Sequence, residues 1–519
     1  MQVLAETKSL LLKLKDPTKV TDVIPRSRVR EYKGVPITQV YHGLDEVRVL
    51  RNLGFNAPSP IETQYSWRGR YTPFKHQATT AAFLTLNRRA IVLNDMGTGK
   101  SLSALWAADY LMDLGLLRKA IIVSPISTMH SVWEQEVSEH FMFNRKAVVV
   151  YGSRERRQQL LADPDADFYI INHDGLKTIK DDLADRDDID LWIVDEAAVY
   201  RNAQTNRYKL AKKLIPDSAW LWMLTGTPCP TSPTDAWALA KLLGSPKAPK
   251  YFTGFRDEVM VQLTQYKWAP KPDAYAKAYD ILQPGIRFKK EDCIDLPPVS
   301  FQLRRAELTK EQDRLYAQMQ KDLVMDVAGS EVTAANAATK LLKLLQVVTG
   351  AVYDEDSDTL QVDATKRLKV LEELVEESSH KVLVFVPFTA ALEKVAAHLG
   401  KRWSVEIVDG STSVKQRKRI FGAFQKEADP QVIVAHPATT AHGLTLTAAD
   451  HTIWYAPIFS LEVFEQANNR MNRPGQVNNM TVSMIASNAM EMQLYKALYL
   501  KQRMQDSVLS LYKAESSIQ

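Results

Sequence analysis

Glycines at 97 and 99 followed at once by Lys100 and Ser101 put two unhindered turns, an ammonium and a hydroxyl side by side, the groups that grip a polyphosphate. The surrounding stretch AIVLNDMGTGKSLSALWAADYL reads as a strand, a glycine turn and a helix. Backbone N–H groups from Met96 through Thr98 to Gly99 can then approach phosphate oxygens, and the helix start offers its positive end to the same anion. Lys100 is expected to reach the β and γ phosphates of ATP, and Ser101 to turn its hydroxyl to Mg2+. Asn94 stands where the full G-x-x-x-x-G-K-S/T pattern has its first glycine. A second candidate ends the apolar run LWIVDEAAVYRN, where Asp195 and Glu196 emerge together. A hard cation beside a triphosphate takes oxygen ligands, so Asp195 is expected to orient Mg2+ through water. Glu196 is then placed to activate the attacking water as general base.

Such groups work only if a sheet holds them. Continuous apolar runs at AIVL from Ala90, AIIVS from Ala120, FYIIN from Phe168, LWIVD from Leu191 and LWMLTG from Leu221 alternate with helical patterns. Runs of this kind imply parallel strands buried on both faces, an α/β fold. A mainly helical stretch follows, with LTKEQDRLYAQMQKDL and AANAATKLLKLLQVV at helical spacing. A second series then brings a helix in KRLKVLEELVEE and strands at KVLVFV, VEIVDG, QVIVAH and HTIWYA. The expected organisation is an accessory N-terminal module over 1–72, a first ATP-binding lobe over 73–245 and a helical protrusion with connector over 246–305. A helical protrusion of the second lobe over 306–363, the second lobe over 364–490 and a C-terminal helix over 491–519 complete it.

Composition excludes some classes and leaves others open. A chain of 519 residues, 45% hydrophobic and 24% charged, can bury ordinary cores, and no run of about eighteen apolar residues marks a membrane span. The first twenty residues mix charge into their apolar stretch, unlike a secretory signal. Cys229 and Cys293 form no zinc pattern and are expected as reduced thiols, which points to a cytoplasmic compartment. A net charge of +5 permits a nucleic-acid partner without demanding one.

Several further segments, in order along the chain, resemble the Swi/Snf branch of helicase superfamily two. PFKHQ resembles its adenine-reading segment, which implies that Gln77 reads the base. IIVSPISTMHSVWEQEV, with Trp133, MLTGTPCPTSPTDAWAL, RFKKEDCIDLPPV, LTKEQDRLY and AHGLTLTAADHTIWY are similar to later family motifs, the last implying that Gly443 lies at the nucleotide. EQANNRMNRPGQ resembles the arginine motif, so Arg470 and Arg473, read as three apart on one helical face, are expected to neutralise charge on the transferring phosphoryl group. The looser likeness of NLGFNAPSPIETQYSWRGRYTPFKHQ is to compact phage or bacterial members and annealing-type members. The resemblance implies two RecA-like lobes and a monomeric DNA-dependent ATPase that translocates on or remodels double-stranded DNA or protein–DNA complexes. A strand-separating or branched-DNA helicase, and a slow ATP-dependent DNA-binding switch, remain open. Ala198 departs from the pattern, which has histidine there to link the γ-phosphate site to the Thr-Gly-Thr-Pro motif, so hydrolysis is implied and tight coupling is not.

Hydroxyls at strand ends suit sequence-independent contact with a phosphate backbone, and Ser124, Thr128, Thr225, Thr227, Thr439 and Thr445 are the candidates. Trp133, Trp222 and Trp454 are read as core residues rather than base-stacking platforms, because Trp222 and Trp454 fall within apolar strands.

Overall fold

In SLLLKLK alternate residues must point to opposite faces of a strand, and this pattern shapes the start of the chain. Leu10 and Leu12 are buried while Lys13 and Lys15 are exposed. Four strands, β1 (Gln2–Leu4), β2 (Ser9–Leu12), β3 (Ser27–Tyr32) and β4 (Val35–Tyr41), form an antiparallel sheet in the order β1-β2-β4-β3. The computed structural model describes residues 1–500 other than 33–34, 185, 231, 266–267, 294–295, 328–333, 354–358 and 440–444. The chain divides into two compact units, Met1–Ile294 and Asp295–Gln519.

In the first unit every apolar run marked in the sequence is a strand of one sheet. Its members are β5 (Arg89–Val92), β6 (Lys119–Ser124), β7 (Ala147–Val149), β8 (Phe168–Asn172), β9 (Ile189–Asp195) and β10 (Trp220–Leu224). A ribbon of β11 (Met260–Gln262) and β12 (Trp268–Pro270) follows, and a short β13 (Gly285–Ile286) returns to the sheet. The order is β13-β5-β10-β9-β6-β8-β7, parallel throughout. Ile122, Ile170 and Ile193 face one core and Ile121, Tyr169 and Val194 the other, which is why the runs are continuous rather than alternating. The first core also contains Leu10, Leu12 and Val40, so the N-terminal sheet packs on this unit. A buried knot of charge adds to the tie. Asp109, on the helix Lys100–Asp113, accepts from Tyr65 Oη at 2.5 Å, Arg68 Nη1 at 2.8 Å and Arg145 Nε at 2.7 Å.

The second unit contains β14 (Val299–Arg305), a ribbon of β15 (Ala351–Tyr353) and β16 (Thr359–Gln361), then β17 (Lys381–Phe385), β18 (Val405–Val408), β19 (Val432–Ala435), β20 (Ala449–Trp454) and β21 (Met480–Ala486). Its parallel sheet runs β14-β21-β20-β17-β19-β18. The chain is therefore two α/β lobes, each a parallel sheet flanked by helices. The stretch expected to be mainly helical does hold helices Lys310–Val327 and Ala334–Thr349, but it also supplies β13, β14 and both ribbons. The sequence of β14 hides it: an edge strand needs only half its residues apolar, and Gln302, Arg304 and Arg305 break the run. Of the expected C-terminal helix, Ala489–Tyr499 is helical, and 501–519 lies outside the described residues.

That last helix is anchored by a fully buried ion pair. Arg367 Nη2 donates to Glu491 Oε1 at 2.6 Å and to Ile485 O at 2.8 Å, Nε donates to Tyr455 O at 2.8 Å, and Glu491 Oε2 accepts from Ser487 N at 2.7 Å. Removing one partner strands the other charge away from water. Glu491→Gln is expected to lower the stability of the second unit by about 3–5 kcal/mol, and Arg367→Met with Glu491→Leu to recover most of it. Denaturant unfolding followed by hydrogen exchange in residues 365–500 checks both; equal losses in the single and double variants refute the account.

Candidate functional site

β5 ends at Val92, and the turn into the helix Lys100–Asp113 passes through Gly97 at φ +79 and Gly99 at φ +76. L side chains rarely adopt that conformation, and a Cβ on Gly99 would sit 2.0 Å from Gln77 Nε2. Lys100 Nζ donates to Asn94 O at 2.8 Å and Asp95 O at 3.1 Å, so the loop is curled around its own ammonium. Ser101 is the second residue of the helix. Gln77 accepts from Phe74 N at 3.0 Å and donates to Thr98 O at 3.3 Å, and His76 Nε2 lies 2.9 Å from the same oxygen.

Asn94, at the position of the pattern's first glycine, is tied into the fold by its side chain. Its side chain is buried, donating from Nδ2 to Thr80 Oγ1 at 2.9 Å and accepting from Phe288 N at 2.9 Å. It fixes the root of the loop between the helix Lys75–Leu86 and the segment after β13. Nothing in the spacing of the motif reveals this role.

The acid pair lies two strands away. β10 separates β5 from β9, and Leu224 pairs with both Val92 and Asp195, so three adjacent parallel strands end level with one another. Ligands of α/β sheets bind outside such carboxyl ends. Asp195 is 9% exposed; Oδ2 accepts from Trp133 Nε1 at 3.0 Å and Oδ1 from Glu196 N at 3.0 Å. Burial, then the charge of Glu196, holds its pKa above the ordinary carboxylate value, against the Trp133 hydrogen bond and the Lys100 charge. A divalent cation would relieve both. Among the described residues no cluster of three or more His, Cys, Asp or Glu forms a metal cage. Mg2+ beside a nucleotide takes one or two protein oxygens together with phosphates and waters, and the Asp195 carboxylate and Ser101 hydroxyl are oxygens of that kind. Glu196 sits in the left-handed region at φ +48 and ψ +49, immediately before the short turn Ala197–Tyr200 that buries Ala198.

Thr225 closes the next turn. Its N–H donates to Val92 O at 3.0 Å and its hydroxyl accepts from Thr227 N at 3.3 Å. A Cβ on Gly226 would lie 3.5 Å from Asn94 O and Met96 N, so this turn rests on the phosphate loop. Ser124 and Thr128 are both buried, and their hydroxyls turn to Pro125 O at 3.4 and 3.0 Å, the pattern of a self-satisfied turn. Trp133, Trp222 and Trp454 are fully buried, as core residues should be. The indole of Trp133 does more than fill space, because it orients Asp195, a role that its sequence position alone does not disclose.

In the second unit the arginines are not on a helical face. The helix Leu461–Asn468 stops before them, and Arg470 and Arg473 occupy consecutive turns. Pro474 disfavours helix at Arg473, and Gly475 at φ +99 turns the chain. The turns are pinned: Leu446 N donates to Arg470 O at 2.9 Å, and buried Gln476 donates from Nε2 to Ala449 O at 2.8 Å and Met471 O at 3.3 Å. Arg470 is 2% exposed, while Arg473 is half-buried and donates to Thr445 Oγ1 at 3.2 Å. Thr439 Oγ1 donates to His436 O at 2.7 Å within its own turn, and Gly443 lies outside the described residues. The structure thus groups Arg470, Arg473 and Thr445 in one unit, and the phosphate loop, acid pair, Thr225 and Gln77 in the other.

Two family models match the chain in succession. A model described as the SNF2-related domain matches residues 51–353, and one described as the helicase conserved C-terminal domain matches residues 366–475. Protein p41 of Acyrthosiphon pisum secondary endosymbiont phage 1 is 24% identical over 417 residues, covering 77% of this chain and 88% of that protein. An ATP-dependent helicase of Mycoplasma genitalium is 24% identical over 413 residues, 77% of this chain and 38% of its own length. The SWI/SNF-related matrix-associated actin-dependent regulator of chromatin subfamily A-like protein 1 of Xenopus laevis is 24% identical over 426 residues, 80% and 41% of the two chains. The chain therefore spans most of the phage protein and about two fifths of the two longer relatives. Among solved structures, the Sulfolobus solfataricus SWI2/SNF2 ATPase core in complex with dsDNA is 20% identical with a TM-score of 0.42, covering 87% of this chain and 95% of that one.

Proposed function

Because this chain belongs to the SNF2-related family, we propose that it is a DNA-dependent ATPase coupling Mg-ATP hydrolysis to translocation on, or remodelling of, double-stranded DNA or protein–DNA complexes. The observation that carries the reading is the alignment of β5, β10 and β9, which brings the phosphate loop, the Thr225 turn and the Asp195–Glu196 pair to one edge of a sheet. Gly97, Thr98, Gly99 and Met96 cradle the phosphates, Lys100 leaves its loop carbonyls for the β and γ oxygens, and Gln77 reads the base. Ser101 and Asp195 would hold Mg2+, which would supply positive charge that lowers the barrier to attack. Glu196 takes the proton of the attacking water, and Arg470 and Arg473 of the second unit offset charge on the phosphoryl group. Thr225, Thr227, Thr439 and Thr445 are assigned to DNA contact or its coupling to the nucleotide.

Steady-state ATPase without nucleic acid and with single-stranded, double-stranded and forked DNA tests this: strong stimulation by duplex is expected, and its absence refutes the reading. Ala198 favours a second reading, a slow ATP-dependent DNA-binding switch, in which DNA affinity changes with nucleotide more than the rate changes with DNA. Strand separation is read on forked and flush duplexes in a displacement assay. Among the described residues no helix is long and apolar enough to cross a membrane.

Trp133→Phe keeps the apolar packing and removes the hydrogen bond to Asp195. Groups that orient a metal-binding carboxylate are worth about 10–100-fold in metal affinity or activity, and the variant is expected to raise half-saturating Mg2+ or lower kcat by that amount. An unchanged half-saturating Mg2+ together with an unchanged kcat refutes the role.

A further inference from the structure

The outer face of the N-terminal sheet carries a pattern that the nucleotide chemistry does not use. Residues 1–42 hold eight Lys and Arg against four Asp and Glu, so fewer than a tenth of the residues supply +4 of a net +5. Register decides where that charge goes. Leu10, Leu12 and Val40 fill the inner face and pack into the core of the first unit, so the sheet cannot turn over. Arg28 pairs with Gln39 and Arg30 with Ile37 on the opposite face, and Tyr41 N donates to Arg26 O at 2.9 Å, which carries the ladder one residue farther. The exposed edge strand β3 and its approach therefore present three arginines in a row, spaced about 6.8 Å apart by the rise of a strand. The guanidinium of Arg26 lies 5.3 Å over the ring of Tyr41 and 3.9 Å from the largely buried Glu46 carboxylate, and Arg28 Nε donates to Gln39 Oε1 at 3.3 Å, which hold those two side chains on this face.

We propose that this face is a docking surface for a single DNA strand, with its phosphates received by Arg26, Arg28 and Arg30. The inference rests on the reading of the chain as a DNA-dependent ATPase and adds a contact outside the motifs of that engine. Charge complementarity selects a polyanion, and shape selects the form. Four strands about 4.8 Å apart span about 14 Å, wider than the roughly 12 Å major groove, so the face cannot enter a duplex. A splayed single strand can lay phosphates on the arginine row and a base against Tyr41, which is 37% exposed. A motor on duplex DNA that also holds one unpaired strand would be biased towards forks and branches.

The test uses full-length protein with a fluorescein-labelled oligo(dT) strand and a blunt hairpin duplex, each titrated across a salt series. For oligo(dT), Arg28→Ala with Arg30→Ala should flatten the slope of log K against log salt by about 1.4, and adding Arg26→Ala by about 2, with the duplex slope unchanged. ATPase without DNA should stay within about twofold of wild type, and lysine at all three positions should retain the slope because it retains the charge. If an alanine variant melts early, Arg28→Gln with Arg30→Gln takes its place and the same slopes decide. An unchanged single-strand slope, an equal loss on duplex and single strand, or no oligo(dT) binding by wild type overturns the proposal. Wild type that binds oligo(dT) through these arginines but shows no duplex-stimulated ATPase overturns the motor reading instead.

Discussion

Arg470→Ala and Arg473→Ala are each expected to lower DNA-stimulated kcat by about 10³–10⁵-fold while leaving ATP binding within a few-fold. That range corresponds to about 4–7 kcal/mol of transition-state stabilisation, more than a surface ion pair can supply. An arginine reaches it only by meeting charge that develops on the phosphoryl group, in a setting held rigid beforehand. The turns that carry both residues are held in this way by the Leu446–Arg470 backbone bond and the bonds of Gln476. Lysine should rescue poorly, because a point charge does not reproduce a planar fork. Arg470 is buried, so its loss can also loosen the second unit, and thermal unfolding of the same protein separates that cost from chemistry. Thr445→Val supplies the control. It deletes one acceptor of Arg473 and leaves the arginine in place, so turnover without DNA, where the assigned DNA contact of Thr445 plays no part, is expected to fall by less than about tenfold. Near-normal kcat in either arginine variant would remove the assignment.

What the sequence disclosed, and what it concealed, follows from how each feature is encoded. Strands buried on both faces announce themselves as unbroken apolar runs, and β5, β6, β8, β9, β10, β17, β19 and β20 were legible for that reason. β21 was not, because Thr481 and Ser483 interrupt it; Ser483 is satisfied inside the sheet by His451 at 2.6 Å and Gln302 at 2.7 Å, partners far away in sequence. The phosphate loop and acid pair are local in sequence and could be read as words. Their supports are not: Asn94 acts through Thr80 and Phe288, and Trp133 through Asp195, contacts that exist only once the chain has folded. The arginine motif shows a different limit. Spacing of three suggests one face of a helix, yet the Pro474–Gly475 stop that ends helical geometry lies within the same motif and overrides the spacing.

Glu196→Gln is expected to lower kcat by about 10²–10⁴-fold with nucleotide and DNA binding retained, since glutamine has the shape of glutamate but cannot take the proton. The backbone makes a sharper version of this test possible. Glu196 is held at φ +48, a conformation costing of order 1–3 kcal/mol for a residue with a side chain, directly after Asp195 and before the turn that buries Ala198. If the strain is tolerated because it aims the carboxylate, Glu196→Gly should be as inactive as the glutamine variant. Its stability should be unchanged or higher by up to about 1 kcal/mol, since glycine relieves the strain but gives up chain entropy on folding. Activity and stability then move apart at one residue, which a merely structural glutamate would not allow. A glycine variant that is clearly less stable than wild type would show that the side chain holds the turn. A glutamine variant with near-normal turnover would show that the proton goes elsewhere.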